Sequence, residues 1–386
     1  MYHQKRLLDI IRQETNGEIF KGNYTSAYLS QDERTYCDSG YDSDSASESM
    51  RVWKSSAESP KRSQTKKYVD LLPLSKRYAS GNEQVLSYFL DGSRQIIKAG
   101  EILYWHFGGI NTVYPIMAAQ IGVGYCRRVN KKLIPERIAD EIVIALPNVV
   151  DSSKGKGFFE SMALKLSQGV LIQKLNLKVT AILKYVPGKN SPLQDTAAAV
   201  IHSRMLEQEQ ALTEELTQQR KLNQENFLVK NGSLEYISVN TKKSKFNAPI
   251  NNYRWVLGIS KRFTPEIRFN SQDRANSGYI ADTPVNHRTL AARFESLGGA
   301  EFAVWYIRLY DRSRTNSAFD GLIRVEKMLV TQSEKDKGLD SELIDTLSAY
   351  ILNERNPVCY GLYPVYLTES YIKSRYLGTE SFLQLF

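Results

Sequence analysis

The chain has 386 residues, 42% of them hydrophobic, with a formal charge of +9 and an isoelectric point near 9.2. It is long enough for a full core and basic enough to favour a polyanionic partner. No apolar run approaches the roughly 18 residues that cross a bilayer, and MYHQKRLLDIIRQET lacks the order of a secretory signal, so a cytoplasmic protein without a membrane partner is expected. Cys37, Cys126 and Cys359 stand too far apart for a disulfide framework or a thiolate zinc site.

Residues 4–13 place Leu7, Leu8, Ile10 and Ile11 on one face of a short helix, so residues 1–30 read as an N-terminal helical segment and a candidate partner contact. Residues 31–66 are Ser-rich and charged with few aliphatics, which predicts a disordered linker. From about residue 67 to residue 386 the text reads as one folded domain. SYFLDGSRQI and the residues after it suggest strands broken at glycines, followed by EIVIALP and KVTAILKYVPG. Residues 195–222 carry no Gly or Pro, and Ala198, Ile201, Met205, Leu212 and Leu216 recur at helical spacing, with Asp195 placed to cap the helix.

The strand NFLVKNGSLEYISV follows, then the strand candidate NNYRWVLGISKRF and a short helix at TLAARFESLG. AEFAVWYIRLYD and GLIRVEKML read as apolar strands, and two helices close the chain. Strands mixed with helices in this way predict an α/β or α+β layer fold.

Two apolar runs end in a similar way, at Asp91-Gly92-Ser93 and at Asn231-Gly232-Ser233. Asp-Gly and Asn-Gly are strong hairpin signals, so each reads first as a turn. The alternative is a metal-dependent nuclease site. Hard oxygen ligands suit Mg²⁺ or Mn²⁺, and a strand-end Asp, a Glu on an adjoining helix and a second strand-end carboxylate assemble such a cage. Asp91, the glutamates Glu207, Glu209, Glu214 and Glu215 of the long helix, and position 231 occupy those three places. No G-x-x-x-x-G-K-[S/T] run is present, so any use of ATP falls to a partner. Tyr125, Arg127 and Arg128, or Tyr253, Arg254 and Trp255, combine charge and rings as single-strand binders do.

The order strand-DGS, helix with R-M-x-E, strand-[D]-G-S-L, VLGISK, WYIRL, IRVE and a Tyr-Pro helix start resembles the NurA nuclease family over about residues 85–380. The resemblance implies an RNase H-like mixed β-sheet flanked by helices and a Mn²⁺ or Mg²⁺ carboxylate cluster. It also implies a homodimer acting on DNA beside a HerA-type hexameric ATPase, in DNA end processing, DNA repair or anti-phage defence. Carried over by residue, it makes Asp91 the first ligand and Glu207 the helical one, with Glu214 as a rival. Arg324 and Glu326 share a strand face that either borders the site or is an ordinary polar face.

Two positions depart from the family pattern. Asn231 stands where an acid is expected and offers only a neutral carbonyl oxygen. The C-terminal helix has Glu369, Ser370 and Tyr371 where the family has a His, so Glu369 becomes a substitute ligand. Asn231 admits three explanations: an introduced Asp→Asn change, a tolerated natural departure, or the mark of a catalytically inactive DNA-binding or scaffolding subunit. That last reading is the alternative to a deoxyribonuclease.

Overall fold

The structure is a computed structural model that describes residues 6–21, 55–59, 67–81, 84–105, 111–188, 191–235, 250–263, 277–296, 299–357 and 361–386. The chain opens with α1 (Leu7–Thr15) and β1 (Glu18–Lys21), then β2 (Ser55–Ser56), β3 (Glu58–Ser59), β4 (Tyr68–Asp70) and α2 (Leu72–Ser80). A long antiparallel ribbon follows, β5 (Leu86–Trp105), β6 (Asn111–Val129) and β7 (Lys132–Pro147). Helices α3 (Asn148–Lys154), α4 (Phe158–Ser167) and α5 (Val170–Lys174) lead to β8 (Val179–Tyr185). The long helix α6 (Leu193–Gln218) then leads to β9 (Phe227–Asn231) and β10 (Val256–Ser260).

The C-terminal part comprises α7 (Ser277–Ala281), β11 (His287–Thr289), β12 (Ala292–Glu295), β13 (Glu301–Arg308), β14 (Leu322–Met328), α8 (Gln332–Lys337) and β15 (Leu339–Asp340). It ends in α9 (Ser341–Asn353), α10 (Tyr363–Lys373) and α11 (Thr379–Gln384).

The main sheet runs β2-β12-β13-β14-β10-β9-β5-β6-β7-β8. Three consecutive strands, β5, β6 and β7, pair antiparallel, and β9 and β10 add parallel to β5 on its other edge. This is the mixed α/β arrangement of the RNase H-like type. Helix α6 covers one face, its Ile201, Met205 and Leu212 packed with Tyr88 and Leu90. On the other face Ile344, Leu347 and Ile351 of α9 pack with Phe89, Phe227 and Val229. Among the described residues no helix is long and apolar enough to cross a membrane.

Several sequence expectations meet a different outcome. Asp91-Gly92 is not a turn and does not end a strand, because β5 runs straight through it. The two-residue hairpin lies instead at Asn130-Lys131, whose φ values of 48° and 65° suit the primed turn that twisted strands prefer. The described part of TLAARFESLG, residues 289–296, is not a helix. Ala292 and Phe294 point inward while Arg293 and Glu295 are half-buried, and this period of two follows from pairing with β13. Asp195 lies in the first turn of α6, whose N-cap is Pro192.

The expected linker over 31–66 falls largely outside the described residues, yet its 55–59 part is built into the fold. Ser56 pairs with Ala292, and Glu58 with Leu339. Glu58 is 1% exposed and meets the fully buried Arg288 at 2.7 Å, while Asp345 meets the same guanidinium at 2.6 Å. A charge without a partner is costly to bury, so Glu58 fixes this segment in place.

Candidate active site

In open α/β sheets the carboxyl ends of parallel strands leave a crevice for ligands. Here β9 stops at Asn231 and β10 at Ser260, while β5 continues past Asp91. At that step lies a pocket of about 590 Å³, lined by residues of β5, β9, β10, α6 and α10. Asn231 does end its strand. Gly232 takes φ +89°, a value that favours glycine, and donates its N–H to Ile259 O at 2.8 Å.

Asp91 is 2% exposed. Its Oδ1 accepts the Gly92 N–H at 2.8 Å and the Asn231 side-chain amide at 3.0 Å. Its Oδ2 is buried without a hydrogen-bond partner among the described residues. Burial, and then the negative charge of Glu369, push the Asp91 carboxyl up to about 8, against the pull of the Asn231 bond, and Glu209 adds to the rise.

The folded state therefore keeps a proton that the unfolded chain releases near pH 4. Stability contributed this way is full below that pH and is lost as pH rises through about 8. In chelator, the unfolding free energy of the parent chain, read from urea titrations, should fall between pH 5 and pH 8 by up to about 1.4 kcal/mol per pH unit relative to Asp91→Asn. Parallel slopes for the two proteins would refute the shift.

Strand alternation divides the other side chains. Asn231 shares the Asp91 face with Glu369 of α10, whereas Gly92 and Lys230 face α6. Glu209 descends from that helix, 2% exposed, to lie 2.7 Å from Lys230 Nζ. The contact is an ion pair by distance, lying off hydrogen-bond alignment at Glu209 Oε2.

Gly92 makes room for it. A Cβ there would lie 2.4 Å from Glu209 Oε1 and 3.0 Å from Met205 Cγ. Gly92→Ala is thus expected to cost about 1–3 kcal/mol by overpacking and to push α6 off the sheet. Thermal denaturation measures the loss, and an unchanged midpoint would rule out the close approach.

The structure does not bring Glu207 or Glu214 to the pocket. Glu207, with a side chain 48% exposed, pairs with Arg204 at 3.4 Å, and Glu214 accepts from Gln218 at 3.0 Å. Glu209 is the helical carboxylate that lines it. Its position four after Met205 and three before Leu212 puts it in the buried stripe, and that phase was the available signal. Glu369 lines the pocket and pairs with Lys373 at 2.8 Å.

Arg324 is on the pocket wall. Glu326 is fully buried behind it and accepts from Ser233 Oγ at 2.9 Å and Leu234 N at 2.8 Å, fixing the loop after β9. Sequence reasoning missed Lys230 and His202. His202 reaches the pocket from α6, and burial with the charges of Arg94 and Lys230 lowers its imidazole to about 3, so it stays neutral.

Among the described residues no group of three or more His, Cys, Asp or Glu gathers as a metal cage. The geometry explains why: Glu209 lies across the strand with Lys230, and position 231 carries an amide. What remains on the Asp91 face is two carboxylates and the Asn231 amide, whose nitrogen is turned to Asp91. The buried, unsatisfied Oδ2 and the mutual repulsion of Asp91 and Glu369 fit one hard cation.

No protein-family model and no curated protein matches the sequence. Similar chains are found among the solved structures. The crystal structure of the NurA nuclease from Sulfolobus solfataricus aligns over 79% of this chain and 84% of its own, at 12% identity and a TM-score of 0.40.

Proposed function

We propose that the pocket binds a nucleic acid backbone and hydrolyses its phosphodiester bonds with a divalent cation, Mn²⁺ or Mg²⁺. The observation that carries this reading is the presence of Asp91, Asn231 and Glu369 in one pocket, where β9 and β10 end beside the continuing β5 and the wall includes Lys261, Arg262, Arg324 and Lys373. Those cations would neutralise phosphates and set the strand's register. Asp91 and Glu369 would hold the cation, with Asn231 fixing the Asp91 carboxyl. The cation, when bound, would supply charge neutralisation at the phosphodiester.

Asp91, held neutral without the cation, would ionise as it binds, whereas the His202 imidazole, lowered to about 3, stays neutral on the α6 side and is too weak a base to take that proton. The family resemblance extends the proposal to a homodimer on DNA beside a HerA-type hexameric ATPase, in end processing or defence against foreign DNA.

A second reading is favoured by two observations. Asn231 removes one charge from the cage, and Lys230 neutralises Glu209. Both suit a non-catalytic subunit that binds nucleic acid and scaffolds the ATPase. Incubating the full chain with linear and circular DNA and Mn²⁺, with and without the ATPase and ATP, separates the two. Metal-dependent cleavage supports the enzyme, and binding without cleavage in every arm supports the scaffold.

A further inference from the structure

Outside the carboxylate pocket, exposed aromatic rings gather on α10. Tyr363 and Tyr366, three residues apart and so neighbours on the helix surface, are 45% and 44% exposed. Their rings stack with centroids 6.5 Å apart and planes 22° from parallel. Pro364, Val365 and Thr368 hold the opposite side of the helix in the core, so the tyrosines are presented outward by a fixed element.

The ridge continues at helical spacing into Glu369 and Lys373, both pocket residues. At its other end lies Lys261, also of the pocket. A Cβ on Gly361, two residues before Tyr363, would sit 2.8 Å from Lys261 Cδ. The pocket's cationic wall therefore flanks the tyrosines at both ends.

We propose that Tyr363 and Tyr366 form a stacking platform for unpaired bases of a single-stranded nucleic acid, with Lys261 and Lys373 holding its phosphates as it enters the Asp91 pocket. The inference rests on the reading of the pocket as a phosphodiester site. Rings beside ammonium groups along one track are what a strand needs, because every base offers a π-face and every linkage a charge. A duplex keeps its bases stacked inside and would gain little from this surface.

The test measures binding of the full chain, in chelator, to a fluorescein-labelled oligothymidylate of about 15 nucleotides and to a duplex of the same length. Tyr363→Ala/Tyr366→Ala should bind the single strand at least about 10-fold more weakly, given the usual worth of one or two base stacks. Duplex affinity should move less than about 2-fold. Tyr363→Phe/Tyr366→Phe should retain single-strand affinity, because it keeps the ring face and loses only the hydroxyl, and circular dichroism melting checks that both variants fold.

Three results would overturn the platform: no single-strand binding by the parent chain, undiminished binding by the alanine pair, or equal loss in the phenylalanine pair. If binding depends on the rings while neither the parent nor Asn231→Asp cleaves with Mn²⁺, the cleavage reading falls and the platform stands.

Discussion

Asn231→Asp is expected to raise Mn²⁺-dependent cleavage of linear DNA by on the order of 10²-fold, the scale on which one preorganised charge acts at a reacting centre. The side chain at 231 already lies 3.0 Å from Asp91 and on the same face as Glu369. The substitution would therefore give this pocket face a third carboxylate, where the parent has two and an amide. Without metal the change is unfavourable, since the bond donated by the Asn231 amide is lost and a further acid is buried beside the Asp91 carboxyl, already pushed up to about 8.

The variant should thus melt below the parent in chelator and recover in Mn²⁺. Ligand linkage sets the recovery at about 2.7 kcal/mol when the metal is at 100 times its dissociation constant. A variant that gains neither cleavage nor Mn²⁺-dependent melting would eliminate a metal role for this face. Gain of melting without cleavage would favour the scaffold.

The second large effect concerns stability. Lys230→Met is expected to cost about 3–5 kcal/mol, because it leaves the Glu209 carboxyl buried without its partner. The two side chains are 5% and 3% exposed, so water cannot substitute for the lost ammonium. Adding Glu209→Gln should restore most of the loss, since removing both charges of a buried pair is often near neutral. Urea titration of the two single variants and the double gives the coupling energy. A double variant as unstable as the two singles combined would mean that packing, not charge, holds α6 to β9.

Periodic elements were legible in the sequence. The long helix, the strands around IALP, LGIS and WYIR, and the C-terminal helices follow from hydrophobic spacing, which local sequence carries. Asp91-Gly92 was misleading because glycine marks two situations with the same letter, a chain reversal and a close approach. Here Gly92 serves the second, and only the position of Glu209 shows it. TLAARFESLG has the composition of a helix, yet pairing with β13 overrides propensity. In α6, the R-M-x-E text drew attention to Glu207, while helical phase from Met205 leads to Glu209. Lys230 was not legible, because its partner lies on another element.

The anchoring of residues 55–59 bears on the order in which the molecule assembles. Glu58 is made early, but Arg288 emerges some 230 positions later, and the other carboxylate on that guanidinium belongs to Asp345. Contacts at such separation carry a high loop-closure cost and form slowly. On the ribosome, β2 and β3 must wait for β12 and β15, so most of the chain is synthesised before the outer edge of the sheet closes. The edge of the sheet is thus closed by docking an early segment onto a late one.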